Sequence, residues 1–294
     1  MTLHQAEGPG DAALTPHLTL DELRAEAREW GRKPRRFGSW YVTEHMVRAM
    51  RAYGWTIIVG ALGQPIIYLL GLVVGLAALI DAPIDIGGTQ VSYLVFVAPA
   101  LLMSATIAVA TEELTYPVMA GFKWRRYFYG FSASPLAPGQ IASGVVLGAT
   151  ARMIVAGIGY LAFLLLFGAI PSGAIGWLAV LVSVLAGLAF GVPLLAYAAS
   201  IEDDKGQFAL VQRFLFVPMF LFSGTFYPLA TLPIWLQWIG WVSPLWHAAE
   251  LGRALTFGQV IEPWLLVIHI TYLVALTVVG FLIARRLFTR RLGS

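Results

Sequence analysis

The sequence FLFVPMFLFSGTFYPLATLPIWLQWIGWVSPLWHAAELGR, residues 214–253, decides the fold of this chain. It begins as an uncharged apolar run that ends at Ser223, and Pro228 and Pro233 follow. Proline removes a backbone donor and clashes with the preceding turn, so a membrane-spanning helix that begins here should break near residue 223. Tryptophan favours the membrane–water interface, and the next part of the stretch holds Trp235, Trp238, Trp241 and Trp246. The pattern therefore predicts short re-entrant helices on the far side of a membrane, over residues 223–258.

The composition indicates an integral membrane protein. Of the 294 residues, 59% are hydrophobic and 12% are charged, and the mean hydropathy is +0.76. Soluble domains have about 25% charged residues. There is no cysteine, which excludes disulfides, metal thiolates and a thiol nucleophile. The net charge of +3 is small, and no nucleic-acid partner is expected.

Apolar segments near the length of about 20 residues that a membrane requires predict an all-α fold with six transmembrane helices, of which the fifth is broken. They are residues 55–80, 91–110, 141–167, 175–199, 207–222 and 263–284. The lysines and arginines fall in residues 1–54, 111–140, 200–206 and 285–294, except for Arg152, Arg213 and Arg253. By the positive-inside rule, both termini are cytoplasmic and residues 285–294 form a basic cytoplasmic tail.

The N-terminal region is predicted to lie on the cytoplasmic side. Residues 1–17 are polar and expected to be disordered, and residues 18–53 form amphipathic and connecting helices. Thr19 and Glu22 have the spacing of a capping box, and Gly31 and Pro34 are expected to end the first helix. An apolar face that includes Leu20, Leu23 and Trp30 predicts an amphipathic helix at the membrane interface.

Three pieces of sequence, in this order, resemble the type-2 ATP-binding-cassette export permeases, most of all the branch with nodulation lipo-oligosaccharide and daunorubicin-resistance exporters. They are YLVFVAPALL at 93–102, SPLAPGQIASG at 134–144, and FLFSGTFYPL with SPLWHAAELGR between residues 220 and 253. The resemblance covers roughly residues 40–285. One departure is Pro99-Ala100, where the family often has Pro-Gly.

The resemblance implies a permease subunit of an ATP-driven exporter in a bacterial or archaeal inner membrane, moving an amphipathic molecule such as a drug or a lipid. It implies two copies of an ATPase subunit, which bind the ATP and magnesium, and a second permease copy or a paralogue. The chain itself has no Walker A motif around Lys33, Lys123 or Lys205, so we expect no enzyme activity and no bound cofactor. The alternatives are export of a lipid-linked saccharide and a membrane scaffold without transport.

The cytoplasmic connection at residues 111–139 is the expected coupling loop of such a permease. Between Pro117 and Pro135 the sequence predicts a short amphipathic helix with aromatic anchors and a basic rim, which suits a compact contact with an ATPase. The candidate contact residues are Met119, Phe122, Lys123, Trp124, Arg125 and Arg126. The alternative is a loop on water or lipid whose charges only fix the topology.

Charges near or inside the predicted spans are candidates for gating or intramembrane pairing. Glu112 and Glu113 end the second span. Either one of them pairs with a basic group on the connecting helix, such as Arg48 or Arg51, or both are ordinary exposed charges. Arg152 lies deep in the third span without an evident acidic partner, and Arg213 and His269 are weaker cases of the same kind. No acid lies mid-span, and no two histidines are expected to meet there. Ion-coupled transport, a metal site and membrane catalysis are therefore disfavoured.

The substrate pathway is expected to have apolar and aromatic walls from the second and fifth spans. The candidates are Phe96, Phe216, Met219 and Phe220, which accept molecules of varied shape. Phe216 and Phe220 are four residues apart and share one helix face. That face lines either the cavity or the lipid. Small residues such as Gly144, Gly148 and Gly187 predict close helix packing.

Overall fold

The computed structural model describes residues 19–71, 75, 83–86, 89–171 and 175–293. The protein is mostly helical. The helices are α1 (Leu20–Trp30), α2 (Arg32–Arg51), α3 (Gly54–Leu70), α4 (Tyr93–Leu114), α5 (Tyr116–Met119), α6 (Tyr127–Ser132), α7 (Pro138–Leu166), α8 (Ala179–Ser200), α9 (Gln207–Val211), α10 (Val217–Phe222), α11 (Ile234–Val242), α12 (Pro244–Phe257) and α13 (Pro263–Leu292).

Among the described residues, four helical segments are long and apolar enough to cross a membrane. They are Tyr93–Trp124, Pro138–Leu166, Gly176–Ser200 and Pro263–Leu292, and they coincide with the second, third, fourth and sixth predicted segments. The fifth predicted segment is a shorter apolar helix, Gln207–Phe222. The first, at residues 55–80, begins in α3 and continues outside the described residues.

Helix α4 is the centre of the bundle and packs against α7, α8 and α12. Its side chains are buried along most of its length, and it contributes Phe96, Leu101 and Ile107 to the core. Helix α8 lies between α4 and α13. Helix α12, from the region after the broken fifth segment, packs into this bundle against α4, α8 and α13. Helix α12, which follows the break, is therefore part of the packed bundle.

The N-terminal capping box is confirmed, but the first helix does not end the helical region. Thr19 and Glu22 cap α1 as predicted, and the apolar side chains of α1 are exposed. Gly31 leads directly into α2, and Pro34 lies in the first turn of α2. A first-turn proline is tolerated because the amide hydrogens there have no partner within the helix. Non-helical angles at Phe37 (φ −111°, ψ 18°) mark a kink in α2.

The predicted close packing at glycines is confirmed, with an unexpected partner. A Cβ atom on Gly144 would lie 2.4 Å from the Cβ of Val42, and one on Gly148 would lie 2.9 Å from the Cβ of Met46. Both glycines lie on α7, and the side chains they accommodate belong to α2. Helix α2 therefore packs tightly against the bundle. Gly187 makes the same kind of contact with Met153 of α7, where a Cβ would lie 2.3 Å from the sulfur.

Two details of the predicted architecture are wrong. A two-stranded antiparallel hairpin, β1 (Ile84–Ile86) and β2 (Thr89–Val91), precedes α4, so the fold is not purely helical. Its β-branched residues favour strands. Residues 285–292 are not a separate tail, because α13 continues to Leu292 and buries Phe288.

Candidate functional site

The connection between α4 and α7 is organised by a cluster of three phenylalanine rings. Phe122 and Phe128 of the connection pack against Phe288 of α13, with ring centroids 4.8 to 5.3 Å apart. A Cβ on Gly121 would lie 2.3 Å from the ring of Phe128, so only glycine fits there. The guanidinium of Arg291 lies 4.2 Å from the ring centroid of Phe122. The connection therefore rests directly on the last helix.

The single amphipathic helix predicted for this connection is replaced by three short pieces. Helix α5 is followed by a π-helical turn at Ala120–Trp124 and then by α6. The interruption is at Arg126, whose φ of 54° is left-handed. Met119 and Phe122 are buried, so their prediction as exposed anchors is corrected. Lys123, Trp124, Arg125 and Arg126 form a continuous exposed run in the connection, which we call the basic–aromatic edge.

The basic–aromatic edge is held by contacts at both sides. Trp124 is 53% exposed and stacks on Tyr116, with ring centroids 6.3 Å apart and planes 18° apart. Lys123 forms an ion pair with Asp203, in the loop that follows α8. Arg291 donates hydrogen bonds to the carbonyl oxygens of Ala199 and Ile201, at 2.9 and 3.1 Å. The edge is thus joined to α5 and to the loop after α8, and Arg291 of α13 contacts the adjacent Phe122.

Arg152 has the two partners that the sequence analysis assigned elsewhere. Its Nη2 lies 2.8 Å from Oε2 of Glu112, and its Nη1 pairs with Glu113. The predicted pairs of these glutamates with Arg48 or Arg51 are wrong, since Arg48 pairs with Glu44 within α2. The sequence hid the contact because Arg152 and the glutamates are far apart in the chain. The pair links the C-terminal end of α4 to α7.

A cavity of about 670 Å³ lies beside this charge cluster, between α2, α3, the α4–α5 junction and α7. Glu113, Arg125 and Arg152 are among its lining residues. Burial and the negative charge of Glu113 raise the pKa of Tyr127, another lining residue, to about 12. The hydroxyl of Tyr127 therefore stays protonated and donates to the carbonyl oxygen of Pro117 at 2.7 Å.

Arg253 is a buried charged residue whose contacts the sequence analysis missed. It was noted only as a basic residue on the predicted outer side, but its side chain is 1% exposed. It pairs with Glu250 at 2.7 Å and donates from Nε to the carbonyl oxygen of Phe96 at 3.3 Å. It also donates to the carbonyl oxygen of Gly224, at the break in the fifth segment. The spacing of Glu250 and Arg253, three residues apart, was the available signal.

Two histidines meet near the same end of the bundle, contrary to the expectation that none would. Nδ1 of His247 on α12 lies 2.7 Å from Nδ1 of His269 on α13. Nε2 of His247 lies 3.0 Å from the carbonyl oxygen of Trp241 and therefore carries a hydrogen. Neutral His247 then accepts at Nδ1, and His269 donates. The pair ties α12 to α13, and no cluster of metal ligands is found among the described residues.

The predicted pathway residues do not share one surface. Phe96 is 1% exposed and its ring lies 4.0 Å from the Arg253 guanidinium, so it is a core residue in the structure. Met219 is also buried. Phe216 and Phe220 stack with planes 3° apart, as their shared face requires, and are partly buried against Phe190. Arg213, by contrast, is exposed.

A family model for the ABC-2 type transporter matches residues 42–257, which include the connection between α4 and α7, the Arg152 pair and the Arg253 site. The chain belongs to the ABC-2 type transporter family. It is therefore a multi-pass membrane protein of a transporter family.

Similar curated proteins have one name in common. Nodulation protein J of Rhizobium leguminosarum bv. viciae is 32% identical over 244 residues, which are 80% of this chain and 87% of that protein. Nodulation protein J of Rhizobium leguminosarum bv. trifolii is 28% identical over 247 residues, 80% and 86% of the two chains. The protein of that name from Rhizobium meliloti (strain 1021) is 28% identical over 245 residues, with the same coverage.

Proposed function

We propose that this chain is the permease of an ATP-driven exporter and that a separate ATPase subunit binds the ATP and magnesium. Membership of the ABC-2 type transporter family supports an ATPase partner. The observation that carries the proposal is the basic–aromatic edge. It presents one exposed tryptophan among three basic side chains on a rigid base, which is the composition of a small protein-binding hot spot.

The contacts below the edge give a route for mechanical coupling. Buried Phe122 packs against Phe288 of α13, so a displacement of the connection that carries Trp124 can be transmitted to α13. The Arg152 pair carries the same movement from α4 to α7. Movement of the basic–aromatic edge can therefore be transmitted to α4, α7 and α13.

In the proposed arrangement, residues 55–80 and 207–222 complete a set of six spans, and α11 and α12 form the far-side re-entrant region. A helix of the length of Gln207–Phe222 spans about 24 Å, less than the hydrocarbon thickness of about 30 Å. The backbone beyond its break needs protein or water around it. A dimer supplies the surrounding protein, and a second copy of this chain is favoured over a paralogue. The dimer lies in a bacterial or archaeal inner membrane, with both termini of each chain in the cytoplasm. The cargo is an amphipathic molecule.

The substitution Trp124→Ala tests the docking surface. We expect it to leave the membrane level of the chain unchanged and to weaken the affinity for a co-expressed cognate ATPase roughly tenfold or more. The measurement is recovery of the ATPase with the solubilised permease, together with stimulated ATP hydrolysis. Trp264→Ala is the matched control. Trp264 is similarly exposed, but it lies at the start of α13, at the opposite end of that helix from Phe288. Unchanged recovery with Trp124→Ala would show that the edge does not dock the ATPase.

A further inference from the structure

The cavity of about 670 Å³ beside the Arg152 pair has one apolar wall. Met46, Ala49 and Met50 of α2 and Ile57 of α3 line it. The three residues of α2 fall on one face of the helix. Methionine side chains adapt to apolar groups of different shapes, and the volume is within the range of about 300–1,000 Å³ that is typical of small-molecule sites. This wall can therefore accept the apolar part of a ligand.

The lining also contains charged groups, and their sum is positive. Glu113 at the end of α4 and Arg152 of α7 both line the cavity, and they pair with each other. Glu112, the second partner of Arg152, is exposed and does not line the cavity. Arg125 of the connection lines it as well, and none of the ion pairs among the described residues includes Arg125. The cavity therefore has one uncompensated positive charge on its lining.

Arg152 has a hydrogen-bond donor that the protein does not use. Its two Nη atoms bind Glu112 and Glu113, but its buried Nε has no acceptor in the described part of the chain. Buried polar atoms are normally hydrogen-bonded, so this donor requires an acceptor from outside the chain. The guanidinium of Arg125 can only donate as well. A ligand group that matches both arginines is therefore an acceptor with a negative charge.

The cavity lies at the level where one apolar helix begins and another ends. Thr56 and Ile57 of its lining belong to the first turn of α3, and Glu113 is the last residue but one of α4. Apolar helices begin and end near the surface of a membrane. Tyr53 and Trp124, which also line the cavity, are exposed, so the cavity opens to the outside of the bundle. A molecule that lies at the membrane surface can enter it.

We propose that this cavity binds an amphiphile whose headgroup carries a phosphate. The phosphate accepts hydrogen bonds from Arg125 and from Nε of Arg152, and the apolar part lies against Met46 and Met50. A guanidinium matches the oxygen atoms of a phosphate with parallel hydrogen bonds. The inference goes beyond the proposed permease function, because this binding requires no ATPase. A free phosphate ion has the same charge but leaves the apolar wall uncovered, and the test separates the two ligands.

The first arm measures the headgroup contact by native mass spectrometry of the solubilised full chain, which counts each bound lipid. The chain is used without an ATPase, because Arg125 also belongs to the basic–aromatic edge. The probes are phosphatidic acid and diacylglycerol with the same acyl chains, which lacks the phosphate. Phosphatidic acid should bind about tenfold more tightly or better, as expected for a charge-assisted hydrogen bond.

Substitutions of arginine assign this contact to the cavity. Arg125→Gln should weaken phosphatidic acid binding about tenfold or more and leave diacylglycerol binding unchanged. Arg125→Lys should retain part of the affinity, since the charge remains without the planar fork. Arg126→Gln is the matched control, because it removes the same charge from the next residue, which does not line the cavity. It should change the binding of neither lipid.

The second arm tests the apolar wall. Ala49→Trp adds an indole at an exposed position of α2 that lines the cavity, and it should abolish phosphatidic acid binding. Val47→Trp adds the same group to α2 outside the cavity and should have no effect. Glycerol 3-phosphate has the headgroup without the acyl chains. It should bind about 100-fold more weakly than phosphatidic acid or worse, because it buries no apolar surface.

Several outcomes would overturn the proposal. It is wrong if the wild type binds phosphatidic acid no more tightly than diacylglycerol, or if glycerol 3-phosphate binds as tightly as phosphatidic acid. Equal weakening by Arg126→Gln and Arg125→Gln would show a general attraction to phosphate and would also overturn it. If Ala49→Trp does not fold, the variants of Arg125 decide, because Arg125 is exposed and its replacement should not disturb folding. A wild type that recovers an ATPase but does not bind phosphatidic acid would refute this inference alone.

Discussion

Replacing Arg253 by methionine should destabilise the protein strongly. Methionine retains the length of the side chain but removes the charge and every donor. Glu250 and the carbonyl oxygens of Phe96 and Gly224 then lose their partner inside the protein. Removing one member of a buried ion pair costs about 3–5 kcal/mol. At about 2–4 °C per kcal/mol for a chain of this size, the melting temperature should fall by roughly 6–20 °C.

The assay is thermal unfolding of the detergent-solubilised protein, followed by the fluorescence of its 10 tryptophans. Arg290→Met is the matched control, because Arg290 is exposed at the end of α13 and its loss should change stability by no more than about 0.5 kcal/mol. Adding Glu250→Gln to Arg253→Met should recover part of the loss, because no uncompensated carboxylate remains. A melting temperature of Arg253→Met within about 2 °C of the wild type would refute the reasoning, since a buried charge pair cannot be broken so cheaply.

Two further predictions concern topology and the charge cluster of α4 and α7. Thr231→Cys should be labelled by an impermeant thiol reagent in intact cells, and Ser134→Cys only after permeabilisation, because the two positions are placed on opposite sides by the distribution of lysine and arginine. The reverse pattern of labelling would invert the topology. Arg152→Gln should destabilise the protein by about 2 kcal/mol because Glu113 is left largely buried and unpaired, whereas Glu112→Gln should cost no more than about 1 kcal/mol because Glu112 is 64% exposed. Equal melting temperatures for the two variants would contradict this difference.

The sequence predicted what local chemistry determines. The cap at Thr19 and the break at Ser223 follow from the residues at those positions, and both are found in the structure. The four long apolar helices follow from length and composition alone. The close packing at Gly144 was also predicted, since small residues on one face allow helices to approach.

Long-range contacts could not be predicted from the same patterns. Arg152 and Glu113 are separated by 39 positions, and only the packing of α4 on α7 brings them together. Phe122 has the helical spacing of an exposed anchor, but the extension of α13 places Phe288 over it and buries it. Phe96 was expected to line a cavity because it is aromatic and within a span. It lies instead over Arg253, a contact across 157 positions.

Two of the three pieces that carry the family resemblance, the first and the last, meet at one side chain. Arg253, from SPLWHAAELGR, binds Gly224 of FLFSGTFYPL and Phe96 of YLVFVAPALL. Gly224 has a φ of +71°, which favours glycine, and Gly252 leaves room for Pro99 and Met103 of α4. Each of these residues meets a geometric requirement of the same junction between α4, α12 and the broken segment. These two pieces of sequence therefore form the structural junction at the break in the fifth segment. A structural junction of this kind can indicate the family, but it says little about the cargo. Cargo preference should depend instead on residues outside this junction.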